Sequence, residues 1–97
     1  MGVLYVNQPI NIEITATFTG LTAVSAVLNY RDPAKRTGTW APDSFVPETG
    51  VIKYRMSAAQ NAGRPGEWII QAEIVFVGEA DPIPTQPVSM RLKARFT

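Results

Sequence analysis

Apolar and polar residues alternate along most of this chain, and period-two alternation marks strands with one buried face. Ile10, Ile12, Ile14, Ala16 and Phe18 point one way, with Asn11, Glu13, Thr15 and Thr17 opposite, until Gly20 breaks the run. Val24, Ala26, Leu28 and Tyr30 form a second apolar set, with Ser25, Asn29 and Arg31 across from it. The stretch Asp32-Pro33-Ala34-Lys35-Arg36-Thr37-Gly38 reads as a hairpin loop, because proline presets φ and glycine tolerates positive φ. Pro42 interrupts the next run, Thr39 to Val46; it cannot donate to a ladder, so an edge or broken strand is expected.

Pro47-Glu48-Thr49-Gly50 is the following turn, and Ile52, Tyr54 and Met56 then share a face opposite Lys53 and Arg55. Residues Ser57 to Gly66 hold a helix-like patch too short to stand alone, which predicts a single turn in a connection. Trp68, Ile70, Ala72, Ile74 and Phe76 make the longest apolar face. Ile69, Val75 and Val77 are apolar too, so a central strand with parts of both faces covered is expected. After the loop Gly78 to Pro87, the last strand places Val88, Met90, Leu92, Ala94 and Phe96 inward, with Ser89, Arg91, Lys93, Arg95 and Thr97 outward. Short strands parted by Gly/Pro turns predict an all-β fold: an antiparallel immunoglobulin-like β-sandwich of about seven strands. A small open barrel is the second choice. Residues 1–97 read as one domain, a length able to bury a modest core without cross-links.

Composition narrows the chemistry. The 97 residues contain no cysteine and no histidine. That removes disulfides, thiolate metal sites, and the commonest general base and neutral metal ligand. No serine carries a nucleophile motif and no Gly-rich phosphate loop occurs, so no enzyme activity, cofactor or metal is expected. Gly63-Arg64-Pro65-Gly66 reads as a turn. Glu79 and Asp81 are the closest acidic pair, and two loop carboxylates are too few for a calcium site.

Nine basic residues against eight acidic ones leave a net charge of +1, with no whole-molecule pull toward nucleic acid or membrane. The opening Met-Gly-Val-Leu-Tyr-Val lacks the basic and long apolar regions of a signal peptide, and residue 6 is Val where a myristoylation signal has Ser or Thr. No apolar run approaches the roughly 18 residues of a membrane span. A soluble protein made in the cytoplasm is expected.

Interaction is then the remaining role. Arg91, Lys93 and Arg95 share a strand face suited to nucleic acid or to an acidic partner surface, and the lack of interleaved exposed aromatics favours the second. Lys53 with Arg55 makes a second basic pair. On a solvent face such charge also deters aggregation. The segment Val3 to Val6, with Tyr5, either adds to the edge of its own sheet or pairs with a neighbouring subunit. Trp68 is expected in the core. Trp40 is open to two readings, core or ligand-stacking. The candidate interface residues are Val3, Tyr5, Trp40, Arg91, Lys93 and Arg95.

Tyr30-Arg31-Asp32-Pro33, Thr37-Gly38-Thr39-Trp40 and Gly66-Glu67-Trp68-Ile69-Ile70-Gln71-Ala72 form an ordered set of turn and core motifs. Together they resemble small immunoglobulin-like domains of tailed-bacteriophage virion proteins, including the N-terminal domain of upper baseplate proteins. The resemblance covers roughly Ile10 to Phe96. Ala34-Lys35-Arg36 and Arg64-Pro65 lengthen two of its turns, and the second domain of baseplate proteins is not expected here. The resemblance therefore implies a tail, neck or head-decoration subunit, assembled into the virion in the host cytoplasm. Its partners would be other virion proteins and copies of itself in a homo-oligomer, with no nucleic acid and no membrane. The alternative is a carbohydrate- or cell-surface-binding module with an exposed aromatic platform of Trp40 with Tyr5 or Tyr54.

Overall fold

The computed structural model describes residues 4–94. They form β1 (Leu4–Tyr5), β2 (Ile10–Thr15), β3 (Ala23–Arg31), β4 (Thr37–Trp40), β5 (Ser44–Val46), β6 (Val51–Met56), α1 (Ala58–Asn61), β7 (Gly66–Phe76), β8 (Ile83–Pro84) and β9 (Val88–Lys93). One sheet has the order β1-β9-β7-β3-β4, with β8 also on β7; the other is β2-β6-β5. The fold is all-β in two separate sheets, so the open barrel does not form. Nine strands are described where about seven were expected; β1 and β8 have two residues each. All pairs are antiparallel except β1 with β9. That parallel pair departs from a purely antiparallel fold because β1 and β2 are not a hairpin. The chain leaves the first sheet at Asn7, whose φ is 62°, and enters the second.

Strand β7 is central, as its two apolar faces predict. It pairs with β3 along one side; on the other it pairs with β9 over Gly66–Ile70 and with β8 over Glu73–Ile74. Between them Thr85 stands in for a strand residue: its N–H donates to the Ala72 carbonyl, and its hydroxyl accepts the Ala72 N–H. The loop 78–87 thus contains a strand that no alternation announced.

The inward residues of both sheets meet in one core: Ile14, Ile52 and Met56 from one side, Leu28, Trp68 and Ile70 from the other. Each fully buried side chain of this kind contributes about 1.5–3 kcal/mol. Three positions depart from the alternation. A register shift between Ala23 and Ser25 puts Ala23 inside and leaves Val24 57% exposed. A bulge adds one residue and reverses the faces N-terminal to it. Val88, at the start of β9, and Ala94, just past its end, are exposed as well, and Phe96 falls outside the described residues.

Pro42 marks a break. The chain leaves β4 in the large sheet and enters β5 in the small one, and the Asp43 N–H donates to the Lys53 carbonyl. The helix-like patch is one turn, α1, where the Ser57 N–H donates to Gln60 Oε1 at 2.6 Å.

Candidate interaction surface

The first hairpin is built around Asp32. The residue is 2% exposed, and its carboxylate accepts from the Ala34 and Arg36 amides, from Arg36 Nε at 3.0 Å and from Arg64 Nη1 at 3.3 Å. A short Asp side chain reaches amides two and four residues on, which is why Asp opens such turns. Burial pushes its carboxyl upward, but the Arg36 amide, the Arg36 guanidinium and the Ala34 amide outweigh it. The pKa lies below the ordinary 3.8. The Arg64 contact ties this hairpin to the connection before β7, so the two lengthened turns lock together.

The motif residues contact one another. Tyr30 stacks on Trp40 with ring centroids 4.3 Å apart, and Trp40 stacks on Tyr54 of the opposite sheet at 4.7 Å. Trp68 lies 6.0 Å from Tyr30 and donates its indole N–H to the Arg64 carbonyl. Gly38 lies under the Tyr30 ring, and Gly66, with φ of 127°, leaves room for Pro33.

Trp40 therefore belongs to the core, at 8% exposure. The expected platform of Trp40 with Tyr5 or Tyr54 does not form, because the indole is already stacked on both faces by tyrosines. Trp40 also does not join the other candidate interface residues. Of these, Tyr5, Arg91 and Lys93 come together at the β1–β9 edge: Tyr5 pairs with Lys93, and Arg91 lies opposite Glu67 on β7. Tyr5, Arg91 and Lys93 are all exposed. Val3 and Arg95 fall outside the described residues. Leu4 and Tyr5 occupy the edge of their own sheet, one of the two arrangements their sequence allowed.

The second basic pair is partly committed. Lys53 faces Glu13 across β2 and β6, and Arg55 Nη1 donates to Asn11 Oδ1 at 3.2 Å. Glu79 and Asp81 are exposed, and among the described residues no three acidic groups gather as a metal site needs.

Two features escaped the sequence reading. An open groove of about 700 Å³ runs between β2 and the segment 83–88, lined by Ile14, Phe18, Leu21, Phe76, Ile83 and Val88. It exists because β2 is an edge strand whose outer side no other strand covers among the described residues. Charge is also sorted by end. The turns around Glu48, Glu79 and Asp81 carry no Lys or Arg, whereas the Asp32 hairpin, the Arg64 loop and the end of β9 are basic. Comparison with protein-family models, curated proteins and solved structures finds no match.

Proposed function

We propose that this chain is a structural subunit of a tailed-phage virion, an immunoglobulin-like sandwich of the tail, neck or head decoration. It works by protein–protein assembly and performs no catalysis. The strand order supports the immunoglobulin-like reading: β2-β6-β5 matches the arrangement of strands B, E and D, and β9-β7-β3-β4 that of G, F, C and C′.

One observation carries the phage reading furthest. The residues behind the resemblance form a packed unit: Gly38, Tyr30, Trp40 and Trp68 lie against one another, Gly66 lies against Pro33, and Asp32 binds Arg64. A motif kept by packing marks a kind of domain and leaves the outer surface to define the role. That surface offers open strand edges and exposed charge, which suits docking onto virion proteins and further copies of the chain.

Quantitative mass spectrometry of purified particles tests this. The expected result is a copy number that fits a ring or capsid symmetry. Absence from the particles overturns the reading.

A further inference from the structure

Net charge conceals how charge is placed in this molecule. The body measures 50 × 25 × 19 Å. Strand β7 has 11 residues and at about 3.3 Å each is longer than either short dimension, so the strands run along the long axis. At one end lie the Thr17–Thr22 connection, the Pro47–Gly50 turn and the Val77–Pro82 turn. The Val77 N–H donates to the Thr22 carbonyl, and the Ala16 N–H to the Gly50 carbonyl. Their charged residues are Glu48, Glu79 and Asp81. At the other end lie Arg31, Lys35, Arg36, Arg64, Arg91 and Lys93, with Glu67 and the buried, already paired Asp32. The screening length at physiological salt is about 8 Å, so each end presents its own sign to a partner.

The acidic end also bears an apolar patch. Leu21 is 37%, Val24 57% and Val77 64% exposed. Leu21 and Glu48 line one shallow pocket with Phe18. Arginine and lysine combine a charged head with an apolar stem, so a basic surface can cover such a patch while its heads meet the carboxylates.

We infer that the acidic, apolar end of one molecule docks on the basic end of a second copy of this chain. The same chain supplies both complementary surfaces, which favours self-association over an unrelated partner. Such a contact is heterologous: it uses two different patches, and it either closes into a ring or continues as a filament. The inference deepens the assembly reading by naming the partner. Purified protein in solution tests it, so it can fail while the particle measurement succeeds.

The experiment is sedimentation of the purified chain over a concentration series at low and high salt, with circular dichroism to verify folding. At about 0.01 M salt the screening length is about 30 Å, and near 1 M it is about 3 Å. Concentration-dependent assembly is expected in the first condition and monomer in the second. Glu79→Gln with Asp81→Asn at the acidic end, and Lys35→Gln with Lys93→Gln at the basic end, should each weaken association about tenfold. Thr39→Lys with Ser44→Lys, which makes the same net-charge change as the acidic-end pair but at mid-body, should leave it unchanged. Monomer at every concentration in low salt overturns the inference. So does equal weakening by the mid-body control. Assembly that vanishes on nuclease treatment also overturns it, and assigns the basic end to nucleic acid.

Discussion

Arg64 reaches back 32 residues to Asp32, with Nη1 3.3 Å from Oδ2, and closes the basic end of the molecule. Arg36 binds the same carboxylate from within the hairpin. The Arg36 amide and guanidinium and the Ala34 amide outweigh burial and hold this carboxyl below its ordinary 3.8. A depressed folded-state pKa contributes stability that is present above the unfolded value and is lost as pH falls through the folded one. Thermal denaturation from pH 7 downward should therefore show stability falling below about pH 4. Asp32→Asn should lower the midpoint at pH 7 and flatten that acid limb. An unchanged acid limb in the variant would show that Asp32 is not its source.

Gly38 and Tyr30 pair across β3 and β4, and a Cβ at position 38 would lie 2.4 Å from the Tyr30 hydroxyl oxygen and 2.6 Å from the ring. A tyrosine at a strand surface could swing away. This one is stacked on Trp40, so relief would break the aromatic column. Gly38→Ala is expected to cost about 1–3 kcal/mol as overpacking. Urea denaturation measures it, and a red shift of tryptophan emission should accompany it.

The burial of both indoles gives a direct optical prediction. Trp40 is 8% exposed and Trp68 0%. Emission should be blue-shifted and resistant to iodide, and soluble glycans should not change it. Trp40→Ala removes the ring between two tyrosines and should cost about 3–5 kcal/mol. Strong iodide quenching in the native protein would contradict the stacked column.

Much of this architecture was legible in the order of residues. Ile10, Ile12 and Ile14 alternate with polar neighbours because β2 has one buried face. The doubly apolar stretch from Trp68 to Phe76 belongs to the strand with partners on both sides. Other features need the third dimension. Val24 fits the alternation, yet the bulge at Ala23 turns it outward. Trp40 looks the same in sequence whether it is stacked or exposed, and Tyr54, from the facing sheet, decides. The sorting of charge to opposite ends comes from turns far apart in sequence that fold to one end, so a net charge of +1 says nothing about it.

Asn61 carries the last prediction. It sits at the end of α1, fully buried, where a polar side chain is tolerated only if its hydrogen bonds are made. Its Oδ1 accepts the Asn7 N–H at 2.7 Å, and its Nδ2 donates to the Gln8 carbonyl at 3.0 Å. These bonds hold the bend through which the chain passes from β1 in one sheet to β2 in the other. Asn61→Ala removes both and leaves a small cavity beside Met56, whose sulfur also contacts Nδ2. The expected cost is about 2–3 kcal/mol, set by the Gln8 carbonyl and the Asn7 amide losing this buried partner. Most of the effect should be local, because β1 has two residues and depends on the bend for its position against β9. Hydrogen exchange should accelerate at the Val6 amide, which donates to the Lys93 carbonyl, while β7 amides stay protected. Uniform acceleration across both sheets would mean that Asn61 supports the whole core, and the anchoring role would be wrong.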